Sequence, residues 1–183
     1  MSLYTGKGDD GTMKTFGCNQ RISKSSAVAE ALGALDEINS FLGLVKVKSK
    51  EAGSLGEKSI ESIIHDLQEN LFSVQAEVAG ADKHISGEKV KEAEAWIALA
   101  EQELPTIKTF FISGSTELGA MFDVARTIAR RAERRVVAVS EEGSVKVGPD
   151  TLSFLNRLSS ILYALARLMN HRSGIKESAP SYN

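Results

Sequence analysis

The chain has 183 residues, 42% hydrophobic and 25% charged, with a net charge of −2 and a single cysteine, Cys18. That length suits one domain with its own core, and the composition excludes a disordered tail, a collagen-like repeat and a disulfide-stapled miniprotein. The near-neutral balance gives no case for a nucleic-acid coat or a membrane-surface protein, one cysteine rules out an internal disulfide or a multi-cysteine metal site, and no apolar run reaches the ~18 residues of a membrane helix. A reducing cytoplasm is the expected compartment.

The first 17 residues carry Gly6, Gly8, Gly11 and Gly17 among Asp, Thr and Lys, without helical period. This reads as a loop that bends tightly. Within it, Thr5-Gly6-Lys7-Gly8-Asp9-Asp10-Gly11-Thr12 offers backbone N–H groups, hydroxyls and a lysine, the ingredients of an anion nest. It is not a Walker A loop, because no G-x-x-x-x-G-K-[ST] string is present. Taken alone such a loop is equally a plain turn, and Lys24, just before the first helix, is equally a solvated lysine.

Five helical stretches follow, and all three prolines (Pro105, Pro149, Pro180) fall outside their interiors. The first spans about 25–48, with Val28, Ala31, Leu35, Ile38, Leu42 and Val45 stepping by three and four. A turn-rich Lys50–Ser54 patch ends it. The second spans about 57–79, with Ile60, Ile63, Ile64, Leu67, Leu71, Val74 and Val78 on one stripe. The third, about 88–104, carries Val90, Ala93, Ile97 and Leu104 and stops at Pro105. The fourth starts at Ser115 or Thr116 and reaches about Glu142. The fifth opens after Pro149 with Asp150 as a candidate N-cap and ends near Gly174. Strand signal is almost absent. The expected fold is all-α, a five-helix antiparallel bundle over 25–174, with an N-terminal loop at 1–24 and a tail at 175–183.

The densest chemical feature lies on the fourth helix. Residues 126–135 hold Arg126, Arg130, Arg131, Arg134 and Arg135 against one acid, Glu133. At ~100° per residue, Leu118, Met121, Phe122, Ala125, Ile128, Ala129, Ala132 and Val136 share one broad face. Arg126, Arg130, Glu133 and Arg134 form a strip bordering that face, and Arg131 and Arg135 point elsewhere. Like charges four apart repel by a few tenths of a kcal/mol. The strip therefore wants solvent, an acidic partner or an anion, and the planar forks of arginine suit polyphosphate. Other sites are weak. His65, His84 and His171 have no metal-ligand spacing, Ser113-Gly114-Ser115 makes no nucleophile elbow, and the adjacent Asp36 and Glu37 cannot share a helix face. Asp36 is expected to meet an arginine.

Read in order, YTGKGDDGT, ALGALDEINSFLG, FFISGS, ARTIARRAERRVV and FLNRLSSILYALAR resemble the PduO-type ATP:cob(I)alamin adenosyltransferases, from Tyr4 to about Asn170. The resemblance implies a ferritin-like, cobalamin adenosyltransferase-like bundle that forms a homotrimer with sites between subunits. It implies ATP and a reduced corrinoid as substrates, Mg²⁺ bound mainly through the phosphates, and an electron-donating reductase as partner, with no nucleic acid and no membrane involved. On this pattern the ATP-binding residues are Thr5, Gly6, Lys7, Gly8, Asp9, Gly11, Lys24, Arg126, Arg130, Glu133, Arg134 and Asn156. Phe110 packs beneath the corrin and displaces its lower axial base, with Phe111 and Tyr163 beside the corrinoid. Arg130, Phe110, Arg126 and Asp36 are the residues implied for catalysis, Arg126 pairing with Asp36 of the adjacent subunit.

Four positions depart from the family pattern. The loop cation is displaced by one residue, with Gly6 then Lys7 before the Gly-Asp pair. Ser113 stands for a common proline, Ser115 for a common glycine, and Ser160 for an acid four residues after Asn156. A non-catalytic corrinoid or ATP sensor, or a helical scaffold whose arginine strip meets an acidic partner, are the competing readings.

Overall fold

Each of the five apolar stripes folds as a helix: α1 Ala27–Lys48, α2 Ile60–Val78, α3 Gly87–Glu103, α4 Glu117–Glu142 and α5 Pro149–Arg172. The structure is a computed structural model and describes residues 3–16 and 21–182; Gly17 and Cys18 lie outside the described residues. Hydroxyl residues start three of the helices in the usual way, satisfying a backbone N–H that has no intrahelical acceptor. Ser26 accepts from the Ala29 N–H, Ser59 from Ser62 and Thr116 from Gly119. At the other end of α4, Gly143 turns into the left-handed region with φ 70°, which glycine enters without the Cβ clash of other residues.

The start of α5 differs from the sequence expectation. Asp150 lies inside the first turn, and Gly148 holds the cap position without a side chain to offer. A carboxylate from another helix does the capping instead. Glu77 of α2, almost fully buried, accepts from the Gly148 N–H at 2.7 Å and from the Thr151 hydroxyl. Negative charge at a helix N-terminus is favourable, and here it also ties α2 to α5.

The second departure is a little β-structure. Strands β1 Thr12–Lys14 and β2 Arg21–Ser23 pair antiparallel with Met13 opposite Ile22. β3 Ser54–Leu55 and β4 Lys58–Ser59 form a second antiparallel pair between α1 and α2. Segments of two or three residues are too short for alternation to register in a sequence.

Packing follows the stripes on four helices. On α3, Val90 and Ala93 are buried as expected, but Trp96 and Ala100 take the core side and Ile97 and Leu104 are only half-buried. Leu35, Ile38 and Leu42 of α1, Ile63, Leu67 and Leu71 of α2, Phe122 and Ala129 of α4, and Phe154, Leu158 and Leu165 of α5 are all fully buried in one continuous core. On the arginine helix, Phe122, Ala125, Ile128, Ala129, Ala132 and Val136 are buried, with Leu118 and Met121 packed at the edge. α4 lies against both α1 and α5, α2 lies against α1, and α3 lies against α5. The helices therefore stand side by side in the order α2, α1, α4, α5, α3. The short 143–148 connection makes α4 and α5 antiparallel neighbours. α3 and α4 are consecutive in the chain but separated in space by α5. Their connection, residues 104–116, has to pass α5 to join them, and this detour builds the site.

Candidate active site

The α3–α4 connection and the three helices it spans enclose a cleft of about 710 Å³. α3 supplies Ile97 and Glu101, α4 supplies Asp123, Arg126 and Arg130, α5 supplies Ser159, Ser160 and Tyr163, and the connection supplies Lys108, Phe110, Phe111 and Ser113. Two of the arginines singled out in sequence, all three of the aromatics and two of the departing serines thus share one cavity. Cations and aromatic rings are interleaved in its lining, Arg126 beside Tyr163 and Lys108 on the same segment as Phe110 and Phe111.

The helix register explains why these arginines face the cleft and others do not. Arg131 pairs with Glu37, and Arg135 pairs with Glu30 at 3.8 Å, so this row joins α4 to α1. Arg126 and Arg130 turn toward α5. The Arg126 Nε lies 3.4 Å from Asp123 Oδ1, and its guanidinium carbon is 5.9 Å from the centre of the Tyr163 ring. Arg134 donates to the Arg130 carbonyl at 3.1 Å, and the Asn156 amide donates to Glu133 at 3.1 Å. Asn156 Oδ1 in turn accepts from Arg157 at 2.8 Å. Asn156, Glu133 and Arg134 therefore form a cluster one turn along α4 from the cleft, and none of the three lines it. Phe110 is 76% exposed at the cleft edge, an apolar ring left facing outward with no core to bury it.

The glycine loop is a separate, self-tied unit. Gly6 and Gly11 take φ of 65° and 77°, the Asp9 N–H donates to the Gly6 carbonyl, and the Gly11 N–H donates to the Gly8 carbonyl, each at 3.2 Å. Lys24 folds back so that its Nζ donates to the Gly8 carbonyl at 2.7 Å. Thr5 accepts from the Lys7 N–H at 3.4 Å. Arg21, which the sequence reading passed over, is the hub: it donates to the carbonyls of Lys7 and Thr12, to the Thr12 hydroxyl, and reaches Asp10 at 3.5 Å. Hydrogen bonds from the Thr12 hydroxyl and N–H, with help from Arg21, hold the Asp10 carboxyl below its ordinary range. No described residue of this loop lines the cleft within one chain. Asp36 is exposed on α1 and forms no ion pair among the described residues; it borders a groove of about 330 Å³ with Phe16, Leu32 and Phe72. In the single chain, then, Asp36 and Arg126 do not meet.

Sequence reasoning also missed an ion cluster behind Asp123 of the cleft lining, built on Arg167, which borders a neighbouring gap and not the cleft itself. Arg167 is 2% exposed in the otherwise apolar run of α5, its Nη2 is 2.6 Å from Asp123 Oδ2, and its Nη1 is 2.5 Å from Glu177 Oε1. Removing one partner of such a buried pair costs about 3–5 kcal/mol, because the other charge is stranded. The available signal was a charge at a stripe position: Asp123 between Phe122 and Val124, and Arg167 between Ala166 and Leu168. A charge placed there demands a partner. Among the described residues no group of three or more His, Cys, Asp and Glu side chains is arranged to hold a metal ion. Among the described residues no helix is long and apolar enough to cross a membrane.

Residues 3–169 match the cobalamin adenosyltransferase family. The corrinoid adenosyltransferase of Bacillus subtilis is 36% identical over 179 residues, covering 96% of this chain and 90% of that protein. The corrinoid adenosyltransferase PduO of Citrobacter freundii is also 36% identical over 178 residues, which cover 93% of this chain and 50% of the relative; the chain spans about half that protein's length. Among solved structures, a variant of the PduO-type ATP:corrinoid adenosyltransferase from Lactobacillus reuteri, complexed with cobalamin and ATP, superposes with a TM-score of 0.88 at 27% identity, covering 99% of this chain and 97% of that one. With the match running through all five helices and the cleft they enclose, this chain belongs to the cobalamin adenosyltransferase family.

Proposed function

We propose that the protein transfers the 5′-deoxyadenosyl group of ATP to the Co(I) centre of a reduced corrinoid. The observation that carries this reading is the cleft itself, where Arg126 and Arg130 line one cavity together with Phe110, Phe111 and Tyr163. The chemistry needs little more. Co(I) is a powerful nucleophile, so its electron pair forms the Co–C bond to C5′ while the C5′–O bond breaks and triphosphate leaves with that bond's electrons. No protein base is required. The protein has to align C5′ with cobalt and its leaving oxygen, for which positioning contributes several kcal/mol. It also has to stabilise charge growing on the triphosphate. Fixed guanidinium groups in a site that excludes water serve that purpose well, and Arg130, with Arg134 behind it, is assigned to it.

In this reading residues 1–24 form the ATP loop, with Thr5, Gly6, Lys7, Gly8, Asp9, Gly11 and Lys24 offering N–H groups, hydroxyls and cations to the nucleotide. Glu133 and Asn156 orient the arginine strip. The loop does not line the cleft of its own chain, so the two halves combine across a subunit boundary, Asp36 of one copy meeting Arg126 of the next in a homotrimer. Mg²⁺ would be held on phosphate oxygens, since the described side chains offer no cage of their own. Phe110 is the apolar wall that disfavours the lower axial ligand, which makes cobalt easier to reduce by an external, cytoplasmic electron donor.

The test is spectroscopic. Purified protein with ATP and chemically reduced corrinoid should generate a light-sensitive adenosylated product in the visible spectrum. Binding of both substrates without conversion would sink the enzymatic reading and leave a sensor. Mixing an Asp36→Ala chain with an Arg126→Ala chain should restore part of the activity each lacks alone; no restoration would reject the shared site.

A further inference from the structure

We propose that Arg167 is a positioning residue: clamped by Asp123 and by Glu177 of the C-terminal tail, it sets the place of the aromatic wall formed by Phe110 and Phe111. The inference rests on the reading of the cleft as the corrinoid site. A guanidinium is a flat group with faces for rings and a donor edge for carboxylates. Here two rings lie near it, Asp123 takes a hydrogen bond from its edge, and Glu177 pairs with it by charge, with no hydrogen bond formed by Nη1 among the described residues. Its carbon lies 5.0 Å from the centre of the Tyr163 ring and 5.6 Å from that of Phe111. Its edge meets Asp123 of α4 at 2.6 Å and Glu177 at 2.5 Å. One side chain of α5 therefore references α4, the 104–116 connection and the tail to a common point. Asp123 carries the reference on to the arginine strip through Arg126, 3.4 Å away.

Packing alone does not call for an arginine here. Its neighbours Leu165, Ala166 and Leu168 are fully buried, and an apolar residue would fill the position without desolvating a charge. What the ion cluster adds is direction. Phe111 is held against Arg167, and the next residue, Ile112, donates its N–H to the Ser178 carbonyl at 2.9 Å. Glu177, the residue before Ser178, also accepts from the Asn170 amide at 2.6 Å. Phe110 is thus followed by two residues fixed from below, which accounts for an exposed ring held at the cleft edge. Between the connection and the tail lies a gap of about 310 Å³ bordered by Pro105, Phe111, Arg167, His171 and Glu177. Without the tail carboxylate, Phe111 has room to fall inward and take Phe110 out of line.

The test is Glu177→Gln, which keeps the shape and the Asn170 hydrogen bond and removes only the charge. Two readouts are taken on the full-length protein. Amide hydrogen exchange at Ile112 should accelerate by about tenfold while core amides of α5 stay at their original rate. In the adenosylation assay the KM for corrinoid should rise by about tenfold, the KM for ATP staying within about twofold. Arg167→Lys, which keeps the charge and loses the flat faces, should give the same split. Unchanged Ile112 exchange in Glu177→Gln would overturn the proposal. So would equal shifts in both KM values, the signature of general destabilisation. If the wild-type protein makes no adenosylated product, the functional reading fails by itself, and the Ile112 exchange rate still decides whether Glu177 holds the wall.

Discussion

The arginine strip and the glycine loop are the two regions assigned to ATP, and they are held in opposite ways. The strip belongs to a 26-residue helix whose other face is buried in the core, with Arg126 resting on Asp123 and Tyr163 and Arg134 on the Arg130 carbonyl. The loop stands on its own short hydrogen bonds, one lysine and one arginine, with nearly every residue exposed. Preorganised charge costs nothing to arrange at the moment of reaction. A self-tied loop has to exchange its internal bonds for those of a ligand. On the proposed assignment, then, the leaving-group side of the site is built by folding, whereas the nucleotide-covering side is completed by binding.

Substitutions on the rigid side should have the largest effects. Phe110→Ala should abolish turnover with corrinoid and leave ATP affinity intact, measured by calorimetric titration beside the activity assay; unaltered turnover would remove Phe110 from the wall. Arg130→Ala should lower turnover by about 10²–10³-fold, the size of losing one preorganised charge-stabilising group. A near-normal rate would mean that the strip is only a wet surface. On the loop the effects should be smaller and of another kind. Arg21→Ala should weaken ATP binding by about tenfold, roughly 1.4 kcal/mol, with the thermal midpoint unmoved, because the hub it removes touches only the loop. A drop in thermal midpoint would show that the loop is part of the cooperative fold after all.

The smallest effect is a pH dependence. The Asp10 carboxyl, normally near 3.8, is lowered by its Thr12 hydrogen bonds and by Arg21. A lowered folded-state value means that its contribution is complete above the unfolded value and fades as pH falls through the folded one. Loop order, followed by the Thr12 amide resonance, should hold through neutral pH and be lost only on acidification below about pH 4. Loss beginning near pH 6 would assign the transition to another group.

The same contrast explains what could be read in the chain beforehand. Helical stripes repeat over many turns, so all five helices, the Pro105 stop and the buried face of α4 were legible from period alone. Arg131 and Arg135 were correctly set apart from Arg126 and Arg130 by the same arithmetic. Spatial order was not legible, since nothing in a stripe says that α3 lies on α5 and not on α4. That order brings Phe110 and Arg126 to one cleft. Asp123 and Arg167 were hidden because each looks like an isolated charge until its partner, 44 positions away, is known. Glu77 was hidden for the same reason, as the cap of a helix start far along the chain. β1 and β2 were too short to show a pattern, and Asp36 meets no arginine among the described residues of one chain.

One consequence of the crossing between α3 and α4 reaches beyond catalysis. Because residues 104–116 span the distance across α5 as irregular chain, their length is free of the heptad-like constraints that bind the helices. Connecting segments of this kind accept insertions readily. A residue added or removed there, away from the pinned Phe111 and Ile112, would reshape the cleft edge and leave every helix seated, so the cavity's size can change without the scaffold.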